Sequence, residues 1–131
     1  MADFNIAYSL TSKFEGGYAD VKDDNGKVTY AGITYKNFPS WAGWSTVFSK
    51  KRKHNEHIPE LDSLVKEFYR KEFWNRVQGD DIKDQEFANN LYDMAVNAGV
   101  SAAVRLAQET TLRPTTGILS AGDINAINGL A

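Results

Sequence analysis

Apolar side chains recur at three- and four-residue steps between Ala2 and Glu15, at Phe4, Ala7, Leu10 and Phe14, and this spacing predicts a helix with one buried face. Gly16-Gly17 ends it. From Tyr18 to Tyr35 the period changes. The turn-forming run Asp23-Asp24-Asn25-Gly26 precedes two β-prone pieces, Val28-Thr29-Tyr30 and Ile33-Thr34-Tyr35, which predict a small hairpin or ordered loop beside the end of the helix. Residues 36–59, with two prolines, Trp41, Gly43 and Trp44, read as a long irregular or partly helical connection. Helical spacing returns at Leu61, Leu64, Val65, Phe68, Tyr69 and Phe73, and again at Phe87, Leu91, Met94, Ala95 and Ala98, so two long helices are expected, the second ending at Gly99. An Ala-rich helix from Ser101 to about Thr110, a turn at Pro114 to Gly117, and a capping-box pattern at Ser120 to Asp123 before a last helix with Ile124 and Ile127 complete the chain. The pattern as a whole predicts a mainly α, α+β architecture: a helical core with a small β-hairpin lobe after the first helix.

The 131 residues have the length of one domain, taken as 1–131. A formal charge of −2 gives no global attraction to nucleic acid, which is disfavoured as a partner. No uninterrupted apolar run approaches membrane-spanning length, so stable membrane insertion is not expected. The start, Met1-Ala2-Asp3-Phe4-Asn5, lacks the basic and apolar regions of a signal peptide. Without cysteine there is neither a disulfide nor a thiolate metal site, and stability has to come from packing. Three Trp, six Tyr and seven Phe supply material for a core and also for lining a sugar-binding groove.

Glu15 is the leading candidate for chemistry. A carboxyl at a helix end, with apolar neighbours on its inner side and two glycines beyond, can be partly desolvated while facing a cleft; desolvation raises its pKa, as a general acid near neutrality requires. Hydrolysis of a glycosidic bond needs such an acid and, in the usual scheme, a second carboxylate that activates water or attacks the sugar. Asp24, with Thr29 orienting the water, could supply that role from the β-lobe. The same residues also read as a solvated helix end and a good turn. Asp93 and Asn97 lie one helical turn apart among Leu91, Met94, Ala95 and Ala98, and are expected to tie neighbouring backbone as scaffold, while small Ala95, Ala98 and Gly99 are expected to let another helix approach. His54 and His57 have no Asp or Cys at zinc-like spacing, so no metal is expected. The run Lys50 to Lys53 reads as a solvated loop, with contact to an anionic wall polymer or phospholipid as the other reading. Each of Trp41, Trp44 and Trp74 fits a core position.

Taken in order, Phe14-Glu15-Gly16-Gly17-Tyr18, the run Asp24 to Thr34, and Pro39-Ser40-Trp41-Ala42-Gly43-Trp44 resemble the lysozymes, or N-acetylmuramidases, of glycosyl hydrolase family 108. Phe68-Tyr69 with Phe73-Trp74, and the run Leu91 to Gly99, continue the resemblance. Ala103 to Asn128 is similar to the peptidoglycan-binding segment that closes such chains, with Gly117, Ile124 and Asn128 matching its pattern. Two positions depart from the family: Gly26-Lys27 stands where two glycines are usual, and Thr116-Gly117 where an Asp-Gly pair is common. The C-terminal piece, about 100–131, is therefore read as packed on the same core as the catalytic portion, about 1–99.

The resemblance implies a lysozyme-like fold and cleavage of the β-1,4 glycan strand of peptidoglycan on the muramic acid side. Glu15 would be the general acid, Asp24 with Thr29 would position or activate water, and Tyr18, Tyr30 and Trp44 would touch sugar. No cofactor is implied, since this chemistry runs on carboxyls and a shaped groove. The implied partner is the peptidoglycan strand, met by a monomer made in the bacterial cytoplasm and acting on the wall after release, as a phage endolysin does, or after specialised export. Two other readings stay open: a lytic transglycosylase using Glu15 alone, and an inactive peptidoglycan-binding or secretion-associated protein.

Overall fold

The computed structural model describes residues 1–11, 17–20 and 28–130. Its contacts group into two units, one of Met1–Ser12 with Phe68–Ala131 and one of Lys13–Glu67. The whole is mainly helical with one small antiparallel sheet, as the patterning predicts.

In the discontinuous unit, α1 (Phe4–Thr11) packs on α4 (Gln85–Ala98). The buried stripe of α1 is Phe4, Ala7 and Thr11, whereas Leu10, expected inside, is 48% exposed. The reason is polar: Thr11 Oγ1 donates to Asp93 Oδ1 at 3.0 Å, so the inward ridge ends on a hydroxyl–carboxylate pair. The other end of α1 is tied by Ala2 N donating to Ile82 O at 2.7 Å and Asp3 N donating to Gln85 Oε1 at 2.6 Å. Between these ties the Phe4 ring meets Tyr92 edge-on at 5.6 Å and Trp74 at 5.5 Å.

The periodic stretch after Pro59 is not one α-helix. Helix α3 (Asp62–Tyr69) passes into a π turn at Arg70–Trp74 and a 3₁₀ turn at Asn75–Val77. The wider turn shifts the helical phase. Trp74, the last residue of that turn, is fully buried, its Nε1 donating to Asp80 Oδ1 at 2.8 Å. Gly79 lies so close to the indole that a Cβ there would stand 2.2 Å from the ring.

Helix α4 begins with Asp84 accepting from Phe87 N and ends, as read, at Gly99, whose φ of 100° and ψ of 153° turn the chain directly into α5 (Val100–Thr110). Ala95, Ala103 and Ala107 are buried on these packed helices, but Ala98 and Gly99, expected at the same contact, are exposed. Asn97 is exposed too: its Nδ2 donates to Asp93 O at 2.8 Å within its own helix, so the apolar surroundings expected for it are not there. The capping box is present at α6 (Ala121–Asn128), with Ser120 Oγ accepting from Asp123 N and Asp123 Oδ2 accepting from Ser120 N. Asp123 also accepts from Gln108 Nε2 at 3.0 Å and Arg113 Nε at 2.6 Å. Gln108, almost fully buried, closes the preceding loop by accepting from Gly117 N and donating to Ile118 O.

The second unit holds the sheet, in the order β1 (Tyr18–Asp20), β2 (Val28–Tyr30), β3 (Ile33–Thr34). Strands β2 and β3 are the expected hairpin. Ala31 and Gly32, both with positive φ (51° and 81°), form its two-residue turn, the combination whose twist suits a tight hairpin. A short helix, α2 (Trp44–Val47), lies in the connection read as partly helical.

Candidate active site

Thr29 occupies the middle of the central strand, opposite Ala19 on one side and Thr34 on the other. Directly paired residues share a face. The other face carries Tyr18, Tyr30 and Ile33, and the last two are buried at 1% and 0% exposure. Burial thus anchors one side of the sheet and leaves Ala19, Thr29 and Thr34 half-buried on the other. Among the described residues the Thr29 hydroxyl, which can both donate and accept, has no hydrogen-bond partner.

Strand β1 is held from outside by backbone. Tyr18 N donates to Glu56 O at 3.0 Å and Asn55 N donates to Tyr18 O at 2.7 Å, covering what would otherwise be a sheet edge. Asn55 takes the positive φ (65°) that this close pairing requires. Gly17 explains the second glycine of the motif, since a Cβ on it would lie 2.3 Å from Glu56 O and 2.8 Å from Asn55 O. The paired residues Asp20 and Val28 bracket the segment that carries Asp24. Glu15 and Asp24 themselves, with Phe14, Gly16, Gly26 and Lys27, lie outside the described residues.

Two of the expected sugar contacts are buried in the structure. Tyr30 is a core residue: its hydroxyl accepts from Ile58 N at 2.8 Å and donates to Ile58 O at 3.3 Å, and burial pushes the phenol pKa up. Trp44, 4% exposed, donates its Nε1 to Phe38 O at 2.7 Å. Both side chains are buried and hydrogen-bonded to backbone within this unit. Tyr18 remains half-buried, with no hydroxyl partner among the described residues.

Among the described residues of this unit, the exposed aromatic rings are Tyr35 (42% exposed) and Phe48 (50% exposed), both packed on Trp44. The sequence signal for Phe48 is its place four residues after Trp44 and two before the basic run. Within that run Arg52 departs from the solvated-loop reading. Its side chain is 5% exposed, donates to Thr46 O and Val47 O at the end of α2, and pairs with Glu56 at 2.8 Å. The Lys53 backbone N–H and the Arg52 guanidinium together hold the Glu56 pKa below its usual range. His57 Nε2 lies 2.6 Å from Asp62 Oδ1, and among the described residues no three potential metal ligands converge.

Comparison with known proteins places this arrangement. A helical core with a three-stranded antiparallel sheet after the first helix is a lysozyme-like architecture. The profile of glycosyl hydrolase 108 matches residues 8–99, a span that takes in the Glu15 motif, the sheet and α4. The chain belongs to that family, and is by that membership a glycosidase of the peptidoglycan-hydrolysing class. A solved structure of SagA from Brucella abortus is similar at 26% identity and a TM-score of 0.67, over 98% of this chain and 70% of that one. No curated protein sequence matches.

Proposed function

We propose that the protein is an N-acetylmuramidase in which Glu15 protonates the leaving glycosidic oxygen and Asp24, aided by Thr29, positions or activates the attacking water. The observation that carries this reading is the family match across residues 8–99, which takes in all three. Support also comes from the setting of Thr29, whose hydroxyl, unpartnered among the described residues, stands mid-strand on the half-buried face of an anchored sheet. Such a group can orient a water at little conformational cost, because its strand is already fixed on both sides.

Mass spectrometry of the products released from purified sacculi tests the proposal. Reducing N-acetylmuramic acid ends are expected; 1,6-anhydro ends would overturn the hydrolytic scheme. Glu15→Gln should cut turnover by about 10²–10⁴-fold, because the amide keeps the shape and cannot give the proton. Asp24→Asn should cost more than about threefold, since Asn preserves turn geometry but cannot accept a proton. Normal cleavage by the Glu15→Gln variant would remove Glu15 from the chemistry.

A further inference from the structure

Phe48 is half exposed although one face of its ring is covered. It stacks on Trp44 with ring centroids 5.6 Å apart and 18° between planes, so what reaches solvent is its outer face. Tyr35 stands edge-on to Phe48 and to Trp44, at 83° and 86°, and walls the platform. The platform is rigid: Phe48 N donates to Trp44 O, Trp44 Nε1 to Phe38 O, and the Arg52 guanidinium grips the carbonyls of Thr46 and Val47. That grip closes the chain back on the end of α2, and Lys50 and Lys51 follow Phe48 by two and three residues within the span it closes. Between Lys36 and Glu56 the sequence has five cations and one carboxylate. Arg52 and Glu56 pair with each other, while Lys36, Lys50, Lys51 and Lys53 are exposed and in no ion pair with a described residue.

We propose that the outer face of Phe48, walled by Tyr35 and rimmed by Lys50 and Lys51, is a stacking subsite for one pyranose ring of the anionic peptidoglycan strand. The occupant rests on the reading in the preceding subsection. A pyranose presents an apolar C–H face and a hydroxylated rim, which match a flat hydrocarbon face and a hydrated border. The free carboxylates of the stem peptide that muramic acid carries supply charge complementary to the lysines. A phospholipid surface fits less well, because a ring lying flat on an indole offers a face, whereas entry into a bilayer calls for projecting apolar side chains.

The test is cosedimentation with purified sacculi, treated with hydrofluoric acid to strip phosphodiester-linked polymers, with every chain carrying Glu15→Gln so that binding is read without cleavage. Phe48→Leu, which keeps apolar bulk and loses the aromatic face, should bind roughly three- to tenfold more weakly, and Phe48→Trp should bind like the parent. Lys50→Glu with Lys51→Glu, both at exposed positions, should weaken binding at low salt, and the difference should close as salt rises. Parental binding by both Phe48→Leu and the double charge reversal overturns the subsite, as does binding lost on acid treatment of the sacculi. Phe48-dependent sedimentation with phosphatidylglycerol vesicles, with sacculus binding unchanged, overturns it in favour of a membrane. Phe48-dependent binding by a chain that never cleaves sacculi, even with Glu15 intact, would leave the subsite standing and overturn the muramidase reading alone.

Discussion

Gly17 shows how one residue can serve both motif and frame. In sequence the pair Gly16-Gly17 reads as a helix stop, which accounts for one glycine and leaves the second unexplained. The second is needed because the backbone at Asn55 and Glu56 passes within contact of it and hydrogen-bonds its neighbour Tyr18. Gly17→Ala should therefore destabilise the fold by roughly 1–3 kcal/mol, since backbone and not a flexible side chain must yield. Thermal melting checks this, and a parental melting temperature would show that the two segments separate at little cost. The reading of Glu15, Asp24 and Thr29 came from residue type, order and family resemblance. The burial of Tyr30, Trp44 and Arg52 was not legible for a shared reason: each is held by a backbone group, of Ile58, Phe38 or the end of α2, and residue type alone gives no sign of such a partner.

At the scale of elements, helices α4, α5 and α6 were legible because local chemistry determines them: a helical apolar period, a glycine stop and a capping box all act within a few residues. Strand β1 was not, because Tyr-Ala-Asp has little strand character of its own and exists as a strand through pairing with β2 and with residues 55–56. The π turn at Arg70–Trp74 was hidden by an unbroken helical period. The link between α1 and α4 gives a prediction that separates Asp93 from Asn97. Thr11→Val leaves a half-buried carboxylate without its donor and should cost about 1–3 kcal/mol, whereas Asn97→Ala, at an exposed helical position, should change stability by less than about 0.5 kcal/mol. Denaturant titration of the two variants checks the contrast, and equal losses would mean that Asn97 supports more than its own helix.

For the molecule as a whole, acid stability should track the C-terminal network. The Asp123 carboxyl is held down to about 2, chiefly by the Gln108 amide, with Arg113 and Ser120 adding to the effect. A depressed folded-state pKa contributes stability that is complete above the ordinary carboxylate range and is lost as pH falls through the depressed value. The melting temperature should thus be nearly level above about pH 5 and fall between about pH 4 and 2. Asp123→Asn should lower it at neutral pH and flatten part of the acid limb; an unchanged acid limb would assign that loss to other carboxylates. The division into units has a further consequence, for the order of synthesis. Thr11 meets Asp93, and Asp3 meets Gln85, each 82 positions further along the chain, while residues 13–67 form a unit among themselves. A ribosome delivers the inner unit complete while Phe4 and Ala7 still wait, uncovered, for a partner helix not yet made. On stalled nascent chains α1 should stay open to protease until the stretch through Ala98 has left the exit tunnel, so that α1, translated ahead of the inner unit, is sheltered after it.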